Sequence, residues 1–441
     1  MNNMPIIKNI DALSRPNSKL RKDALAILEA GLRAIDTKNI LRQKISLHDN
    51  SFCVSTEHAK IRGMGFQCNF FERIFFIGIG KCALDGALAI EEMLGDKLTD
   101  GIVVDVRTGN LKKIKSYVGT HPYPSDINID TTNRIIEMVE GVTERDLVLV
   151  LISGGGSALL CMPSDKNCDS LSRITKELTN KGAQISELNI VRKHLSLVHG
   201  GGLAKILYPA QVVSLIFSDV PGDDMSIVAS GPTVKDDSTL EEVKNVLGKY
   251  NVDSDFIKTL NFTETSKEDK YFKKVQNFLV LSNKDALMAM QEKAQELGFR
   301  ASVETNTLSG EAREIGKKFA SDAISPDTCY IFGGETTVSL KAEGKGGRNQ
   351  ELVLGALPYI KDDRVVASIA SDGWDNTESA GALADREMQK KAEELGLHPE
   401  DFLEKNNSYD FWQKIDGDIY TGRLGSNVSD LVIILNRNGK R

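Results

Sequence analysis

The sequence predicts a protein of the α/β class, and three features of the chain support this prediction. Short apolar runs recur along the 441 residues, small polar or charged residues follow most of them, and stretches with helical spacing lie in between. Continuously apolar runs are typical of strands that are buried on both faces of a largely parallel sheet. The predicted strands are residues 74–77, 102–106, 147–152, 212–217, 278–281, 330–332, 365–370 and 431–435.

Helical spacing of apolar residues identifies the elements between these strands. The first predicted helix covers residues 19–36 and has a charged face opposite an apolar one. A second helix is predicted over residues 82–94, directly after the first strand. A third is predicted over residues 184–206, and three glycines at 200–202 interrupt it.

The length predicts two or three domains at roughly 150 residues per domain. Hydrophobic residues make up 41% and charged residues 27% of the chain, which is typical of globular proteins. We expect an N-terminal domain over residues 1–240 and a C-terminal domain over residues 275–441. Between them, residues 241–274 are predicted to form a linker or an exposed excursion, because acidic and polar residues are frequent around them.

The charge balance and the cysteine pattern exclude several classes of protein. The chain has 62 acidic and 55 basic residues, a net charge of −7, which argues against a nucleic-acid partner. Its six cysteines contain no C-x-x-C pair, so we expect neither a zinc ribbon nor a disulfide framework, and we expect a reducing cytoplasm. Residues 1–18 lack the apolar core of a signal peptide, and no apolar stretch approaches the ~20 residues that span a bilayer. We therefore expect a soluble, cytoplasmic protein without a membrane partner.

A glycine turn with a lysine follows the first predicted strand. The residues are Gly78-Ile79-Gly80-Lys81, and the second predicted helix begins directly after them. The first amide groups of a helix attract anions, and Lys81 adds a full positive charge. We expect a phosphate or a carboxylate at this turn, although a tight turn without a ligand remains an alternative.

The same turn allows a second kind of site. Gly78, Gly80 and Ala83 match the dinucleotide-binding pattern G-x-G-x-x-A, with Asp105 as a partner for the ribose. A Walker P-loop does not fit, because Phe75 and Cys82 occupy the positions of its first glycine and its Ser or Thr.

Two further features precede the predicted domain boundary. Residues 153–157 read Ser-Gly-Gly-Gly-Ser after a buried strand, and such a turn can hold a phosphate with its backbone amides or be a flexible loop. Ser157 does not lie in the nucleophile pattern G-x-S-x-G. Arg192, Lys193 and His194 form a charged cluster on the third predicted helix, which indicates either a site or a solvated helix face.

Acidic residues follow another predicted strand, at Asp219, Asp223 and Asp224. Carboxylates that lie so close together repel one another unless a cation lies among them, so we expect Mg²⁺. Helix capping is the alternative for Asp223 and Asp224, but it explains Asp219 less well. Asp372, within residues 371–376, follows a later strand in the same way.

Two glycine-rich turns lie in the predicted C-terminal domain. Gly333, Gly334 and Glu335 follow a strand. Arg348 follows three glycines within residues 344–347 and begins a predicted helix. A guanidinium at such a position can bind a carboxylate or a phosphate through two hydrogen bonds. Phosphoryl transfer requires cationic groups, carboxylates for a metal ion and glycine-rich backbone, and all three occur at strand ends here.

Taken together, these motifs resemble those of the type-2 glycerate kinases, a family also named for its C-terminal MOFRL domain. The resemblance implies ATP-dependent phosphorylation of D-glycerate, commonly at C2 to give 2-phosphoglycerate, with Mg²⁺ as the metal. It also implies two α/β domains with largely parallel sheets, a Rossmann-like N-terminal domain and an active site in the cleft between the domains. The resembling segments are residues 78–81, 121–124, 153–160, 189–196, 218–233, 333–337, 344–351, 371–376 and 421–431.

The resemblance also implies roles for individual residues. It makes Lys81 and Arg348 essential to catalysis, and it places Asp219 and Asp372 where they hold Mg²⁺ or orient the attacking hydroxyl group. The substrate-binding residues are expected to be Lys81, Arg348 and Asn349. The residues expected to bind the nucleotide are Ser153, Gly154, Gly155, Gly156, Ser157, Lys193, Gly333, Gly334 and Glu335.

The chain departs from the family pattern near its C-terminus. Arg423 and Leu424 stand where the family usually has Pro and Thr, and Trp374 and Asn376 stand where small residues are usual. Two other functions remain open: a nicotinamide-dependent hydroxypyruvate reductase or related 2-hydroxy-acid dehydrogenase, and an inactive nucleotide-binding regulator. The expected partners are D-glycerate and ATP, and the sequence allows a homodimer without fixing the oligomeric state.

Overall fold

The computed structural model describes residues 4–15, 18–48, 51–55, 64–67, 71–164, 168–361 and 363–437. Within these ranges, the elements up to residue 281 are α1 (Ile10–Leu13), α2 (Lys19–Ala34), α3 (Thr37–Lys44), β1 (Ile45–His48), β2 (Ser51–Val54), β3 (Met64–Gln67), β4 (Arg73–Ile79), α4 (Ala83–Leu94), β5 (Asp100–Asp105), β6 (Ile114–Val118), α5 (Asp126–Met138), β7 (Asp146–Ile152), α6 (Gly156–Leu159), α7 (Cys168–Asn180), α8 (Ile185–His194), α9 (Gly202–Leu207), β8 (Gln211–Phe217), α10 (Leu240–Lys249), α11 (Ser254–Thr259) and β9 (Val275–Leu281). The elements that follow are α12 (Asn283–Glu296), β10 (Arg300–Leu308), α13 (Ala312–Ser321), β11 (Thr328–Gly334), α14 (Arg348–Ala356), β12 (Arg364–Ala370), β13 (Gly381–Ala384), α15 (Arg386–Glu394), α16 (Pro399–Leu403), α17 (Ser408–Ile415), β14 (Asp418–Ile419) and β15 (Asp430–Asn436).

The chain forms two compact units. The central unit consists of Thr37–Val280, and the terminal unit combines Met1–Asp36 with Leu281–Arg441. This division differs from the expected one, in which the first 240 residues form one continuous domain. The start of the chain therefore folds with its end.

Helix α2 shows why the N-terminal residues belong to the terminal unit. A Cβ atom on its Gly31 would lie 2.7 Å from Cγ of Met290 in α12, so the two helices pack with little space between them. The buried Arg21 of α2 donates from Nε to Oδ2 of Asp385 at 2.6 Å. A buried ion pair of this kind and a tight helix contact hold α2 in place.

The central unit is built on a six-stranded sheet in the order β6-β5-β4-β7-β8-β9. The pairings from β6 through β8 are parallel. The carboxyl ends of these strands therefore lie along one edge, where ligands bind in open α/β sheets. A separate antiparallel sheet of β1, β2 and β3 was not predicted from the sequence.

The expectation of a linker over residues 241–274 is wrong for its first half. Helices α10 and α11 lie there, and they bury Val243, Val246 and Phe256 in a core shared with α7 and α8. Thr239 caps α10, because its hydroxyl accepts a hydrogen bond from the backbone N–H of Glu242. The frequent charges belong to the exposed faces of these helices, so the composition was misleading.

The terminal unit contains a second six-stranded sheet, in the order β10-β11-β15-β12-β13-β14. Only β10 and β11 pair in parallel, whereas the pairs β11–β15, β12–β15, β12–β13 and β13–β14 are antiparallel. The α/β class is confirmed, but the expectation of a largely parallel sheet is wrong for this unit. A buried strand is continuously apolar in either direction, so its sequence does not reveal that β15 runs against its neighbours.

The eight predicted strands correspond to β4, β5, β7, β8, β9, β11, β12 and β15, and these predictions are confirmed. The first two predicted helices are confirmed as α2 and α4. The third is two helices, α8 and α9, separated by residues 195–201. No disulfide bond forms among the described cysteines, and Cys68 lies outside the described residues. Within the described ranges, no helix is both long enough and apolar enough to span a bilayer.

Candidate active-site centres

The two glycine turns of the central unit form one structure. The backbone N–H of Lys81 donates to the carbonyl of Gly154 at 2.9 Å, and the N–H of Ser153 donates to that of Ile79 at 2.9 Å. Gly80 has a φ of +118°, and a Cβ atom there would collide with the Ser153 hydroxyl group. Only glycine tolerates this approach, so the turns after β4 and β7 are fixed against each other.

Two side chains lie beside the second turn. Gly155 has a φ of +82°, and a Cβ atom on it would lie 3.2 Å from both Cγ of Lys81 and Cδ2 of His121. The Lys81 side chain therefore extends along the turn of residues 154–157. Lys81 and the Gly154–Ser157 turn, which the sequence analysis placed in the site separately, lie together.

A chain of polar side chains supports Ser157. Its hydroxyl lies 2.9 Å from that of Ser230, and the Ser230 hydroxyl donates to Oδ1 of Asn189 at 2.6 Å. Ala229 and Ser230 have φ angles of 49° and 58°, in the left-handed region that non-glycine residues seldom adopt. Strained backbone of this kind persists where the surroundings enforce it, often at functional sites.

Adjacent cations on α8 differ in their partners. The Lys193 ammonium is buried and lies 3.0 Å from Oδ1 of Asp236. The half-buried Arg192 donates from Nε to the hydroxyl of Thr175 at 3.4 Å. No carboxylate within the described part of the chain lies within ion-pairing distance of Arg192, and burial lowers the pKa of its guanidinium. The solvated-face interpretation of this cluster is wrong, since Lys193 and His194 are buried.

Three histidines lie near these cations, and their surroundings differ. His194 is structural, because its Nδ1 contacts the Ile190 carbonyl at 2.8 Å and its Nε2 lies 3.2 Å from Glu264. Partial desolvation, followed by the charges of Lys81 and Arg192, lowers the pKa of His121 to about 4. Burial and the same kind of positive field lower the pKa of His199 to about 3. His121 and His199 are therefore neutral at pH 7.

The acidic turn after β8 does not form a metal cage. Asp224 accepts a hydrogen bond from the backbone N–H of Ser226 at 2.9 Å within a turn, so it stabilises the turn and does not cap a helix. Asp219 is half-buried at the strand end, and Asp223 adopts a φ of 60°. Among the described residues, no group of three or more His, Cys, Asp or Glu side chains is arranged to hold a metal ion.

Asp105 has a structural partner in place of a ribose. Its buried carboxylate accepts hydrogen bonds from the backbone N–H groups of Leu84 at 3.0 Å and Arg107 at 3.1 Å. Burial raises its pKa to about 6. Because Asp105 caps the first turn of α4, the dinucleotide interpretation loses its ribose ligand.

The centre of the terminal unit is Arg348, at the first position of α14. Its Nε donates to Oδ2 of Asp430 at 2.6 Å, and its Nη2 donates to Oδ1 of Asp430 at 3.1 Å and to Glu335 at 3.0 Å. Asp430 begins β15 and pairs in register with Gly334 and with Ala370. The antiparallel insertion of β15 thus places a carboxylate between the ends of β11 and β12.

A second buried carboxylate caps the same helix. Asp375 accepts from the backbone N–H groups of Asn349 at 3.2 Å and Gln350 at 2.9 Å. Burial raises the pKa of Asp375 to about 6, and Asp430 adds to this effect. The Asn349 side chain donates to Asp375 at 3.1 Å and accepts from the Ser368 hydroxyl. Asn349 is buried, and its amide is engaged within the unit.

Close packing accounts for several glycines of the terminal unit. A Cβ atom on Gly333 would collide with the Asn283 side chain, and one on Gly334 with the backbone of Leu308. Gly347 meets Asp375 in the same way. These turns therefore need glycine for packing, whatever they bind.

The departures from the family pattern contact one another. The Arg423 guanidinium lies over the Trp374 ring, 3.9 Å from its centroid. The backbone N–H of Leu424 donates to the carbonyl of Asp372 at 2.8 Å, and the Asp372 carboxylate accepts from the N–H of Trp374 at 3.0 Å. Arg423, Leu424 and Trp374 thus form one cluster around Asp372.

The predicted site residues fall into two groups. Lys81, Ser153, Lys193, Asp219 and the turn of residues 154–157 lie in the central unit, and Gly333, Gly334, Glu335, Arg348, Asn349 and Asp372 lie in the terminal unit. Arg192 was predicted only as part of a charged cluster. The residues of these centres that were not predicted individually are His121, Asn189, His199, Ser230, Asp375 and Asp430. Asp430 had a detectable signal, since it lies at the start of a predicted buried strand.

Comparison with known proteins identifies the family. Residues 23–261 match a family described as a domain of unknown function, DUF4147, and residues 328–430 match the MOFRL family. A protein of Pyrococcus horikoshii named glycerate 2-kinase is 34% identical over 442 residues, covering 94% of this chain and 97% of that protein.

Two more comparisons bear on the activity. A protein of Agrobacterium vitis, provisionally named as a hydroxypyruvate reductase, is 36% identical and covers 82% of this chain and 87% of its own length. The crystal structure of glycerate kinase from Thermotoga maritima superposes with a TM-score of 0.80 at 33% identity, covering 94% of this chain and 99% of that one. The near-complete coverage at this level of identity shows that the chain belongs to the glycerate 2-kinase family.

Proposed function

We propose that this protein transfers the γ-phosphoryl group of ATP to the C2 hydroxyl group of D-glycerate, forming 2-phosphoglycerate and ADP. The observation that carries the proposal is the similarity to a protein named glycerate 2-kinase over 94% of the chain. The position of Lys81 after the carboxyl end of the parallel strand β4 supports it, because open α/β sheets bind ligands there. Arg348 adds a cation at the start of α14.

The reaction makes specific demands on the protein. The hydroxyl oxygen of glycerate attacks the γ-phosphorus, the bond from that phosphorus to the bridging oxygen of ADP breaks, and the hydroxyl proton is released. Negative charge spreads over the phosphoryl oxygens during this transfer, so catalysis depends on positioning and on positive charge.

We assign the positive charge to Lys81 and Arg348. Lys81 neutralises the transferring phosphoryl group or anchors the substrate beside the turn of residues 154–157. Arg348 binds the glycerate carboxylate or the phosphates of ATP. Asp430 and Glu335 hold its guanidinium in a fixed orientation, which reduces the entropy lost when a ligand binds.

For the nucleotide we assign the backbone of Gly154, Gly155, Gly156 and Ser157, and that of Gly333, Gly334 and Glu335. Ser153, Lys193 and Asn349 are better suited to supporting roles. The Ser153 hydroxyl donates to the Ile79 carbonyl at 3.3 Å, Lys193 is paired with Asp236, and the Asn349 amide is bonded to Asp375. Each would have to break a buried contact to reach a ligand.

Mg²⁺ fits this assignment as a companion of ATP. Magnesium is usually held by one or two carboxylates together with phosphate oxygens and water, so a cage of three protein ligands is not required. Asp219 in the central unit and Asp372 in the terminal unit are half-buried strand-end carboxylates, and each is a candidate ligand within its own unit. The ion would neutralise charge on the phosphates during transfer.

An ADP-release assay with D-glycerate tests the proposal. We expect turnover with D-glycerate and ATP, and a product that enolase converts directly, as 2-phosphoglycerate requires. Lys81→Ala and Arg348→Ala should each lower kcat/KM by about 100-fold or more, as expected when a charge-stabilising group is removed. Arg134→Gln is the matched control, because Arg134 is an exposed cation of the central unit that stacks on Tyr117.

Three results, from this assay or from parallel assays of NADH oxidation and nucleotide binding, would contradict the proposal. Oxidation of NADH by hydroxypyruvate without glycerate-dependent ADP release would indicate the reductase. Nucleotide binding without any turnover would indicate a regulator. Unchanged turnover in both Lys81→Ala and Arg348→Ala would contradict the residue assignment.

A further inference from the structure

Within the described residues, the charge of Arg192 has no counter-charge in the central unit. Its guanidinium is half-buried on α8 and donates a hydrogen bond to the neutral hydroxyl of Thr175. No carboxylate of the described chain forms an ion pair with it, whereas the next residue, Lys193, is paired with Asp236. Desolvating a cation without a counter-charge is unfavourable, so this arrangement needs a compensating interaction.

His199 is a second unbalanced group in the same place. The residue is 2% exposed, and within the described ranges neither ring nitrogen has a hydrogen-bond partner. The Gly156 backbone lies beside the ring without meeting hydrogen-bond geometry, and the positive charge of Arg192 acts on the imidazole. A buried imidazole without hydrogen bonds is uncommon, because most buried polar groups find a partner.

The two groups have complementary chemistry. A guanidinium offers a fork of N–H donors that matches a carboxylate or a phosphate, and a neutral imidazole can donate one N–H to an oxygen. The turn of residues 154–157 lies nearby. Asn189, three residues before Arg192 on the same face of α8, accepts from the Ser230 hydroxyl, which lies 2.9 Å from that of Ser157. The backbone N–H of Gly200, next to His199, donates to the Ser230 carbonyl at 3.0 Å. Arg192 is half-buried, so part of its side chain faces solvent, whereas His199 lies beneath the surface.

We propose that Arg192 and His199 form an oxyanion-binding subsite in the central unit, beside the turn of residues 154–157. The ligand group is a carboxylate or phosphate oxygen, and it supplies the negative charge that Arg192 lacks. This inference deepens the proposed function. Only its choice of candidate anions, the carboxylate of D-glycerate and the phosphates of ATP, rests on that function.

Anion binding to the full chain tests the subsite without requiring turnover. Isothermal titration calorimetry with D-glycerate in one arm and inorganic pyrophosphate in the other measures the two sources of oxyanion separately. We expect the wild type to bind at least one of them, and Arg192→Gln to weaken that binding by about tenfold or more. Arg192→Lys should lose less affinity, His199→Phe should weaken the same anion, and Arg134→Gln should bind like the wild type.

Thermal unfolding separates a binding role from a structural role. Because Arg192 is an unbalanced charge, Arg192→Met should melt at the same temperature as the wild type or higher when no ligand is present. It should also lose the rise in Tm that the bound anion gives the wild type. A lower Tm without ligand, or a variant that does not fold, would show that Arg192 holds the structure together and would overturn the inference.

The binding results also distinguish this inference from the proposed function. If the wild type binds pyrophosphate through Arg192 but does not phosphorylate glycerate, the subsite stands and the proposed activity is wrong. If Arg192→Gln binds both anions as tightly as the wild type, or the wild type binds neither, the subsite is wrong even in an active kinase.

Discussion

The arginines at the centres of the two units differ in their partners. Arg348 pairs with two carboxylates, whereas Arg192 pairs with none among the described residues. In the terminal unit, Arg348 donates to Asp430 through two nitrogens and to Glu335. In the central unit, Arg192 has the neutral Thr175 as its hydrogen-bond partner. Burial alone would lower the pKa of Arg348, but the two carboxylates outweigh it and raise that pKa. For Arg192 burial prevails and lowers the pKa.

This difference separates orientation from recognition. A guanidinium held by carboxylates is positioned before any ligand arrives, but its attraction for another anion is reduced. A guanidinium without a carboxylate gains more from an anion, because the ligand removes an unfavourable charge. We therefore expect removal of Arg348 to reduce both stability and activity, and removal of Arg192 to reduce binding without loss of stability.

The largest effect on stability should follow Arg348→Ala. The change leaves Asp430 buried without its partner, and breaking a buried pair in this way costs about 3–5 kcal/mol. Urea unfolding measures the loss. The double variant Arg348→Ala/Asp430→Asn should recover part of the stability and none of the activity. A single variant as stable as the wild type would contradict the structural half of the comparison.

Lys193→Met should be next in magnitude, at about 3 kcal/mol, because it leaves Asp236 buried without its ammonium partner. Arg192→Met changes the adjacent residue on the same helix and serves as the matched control, with no expected loss of stability. Urea midpoints of the two variants, measured side by side, compare a balanced with an unbalanced cation. Equal losses of stability in both variants would contradict the difference between the paired Lys193 and Arg192.

A pH dependence of stability should come from the buried helix caps Asp105 and Asp375. Burial raises the pKa of each to about 6, above the ordinary value of 3.8. The folded state therefore holds these protons more tightly, and the stabilising contribution present below about pH 4 is lost as the pH rises to about 6. Each pKa unit corresponds to about 1.4 kcal/mol.

Unfolding of Asp105→Asn between pH 4 and pH 7 isolates one of these caps. The free energy of unfolding of the wild type relative to this variant should fall as the pH rises through that window, because only the wild type has an ionisable carboxyl group at position 105. A relative stability that rises with pH would show that hydrogen bonds to the carboxylate outweigh its burial.

The smallest effect is expected for Arg423→Ala. Its guanidinium is exposed and lies over Trp374, and such cation–π contacts contribute about 0.5–1 kcal/mol. A small decrease in Tm and a change in the fluorescence of Trp374 would report the loss. Leu424→Ala is the control in the same cluster, since its contact with Asp372 is made by the backbone. A fluorescence change in Leu424→Ala as large as in Arg423→Ala would contradict the contribution of the stack.

The elements differ in how far sequence patterns could predict them. Strands such as β7, which is buried along its whole length, gave clear signals, and so did the amphipathic helix α2. The edge strand β6 has one buried residue at its start and was missed, because its side chains alternate between solvent and partial burial. In α10, charged residues on the exposed face concealed the regular spacing of Val243 and Val246.

The residues of the candidate centres show the same limit. Lys81 and Arg348 were found because a charge next to glycines, after a strand for Lys81 and before a helix for Arg348, is visible in the sequence. Arg192 was predicted only as one member of a charged cluster, and His199 was not predicted. Their importance lies in the partners that they lack among the described residues, and partners are defined only by folding. Asp105 matched a ribose ligand by spacing, but its hydrogen bonds to Leu84 and Arg107 make it a helix cap.

The sequence by itself determined the α/β class, the order of the buried strands and the glycine turns with their cations, since these follow from local hydrophobicity and backbone freedom. The tertiary structure decided the direction of β15, the return of α2 to the terminal unit and the balance of charge around each arginine. Strand direction and ion pairing join residues far apart in the chain. Asp430 lies 82 positions from Arg348, and no local pattern specifies such a contact.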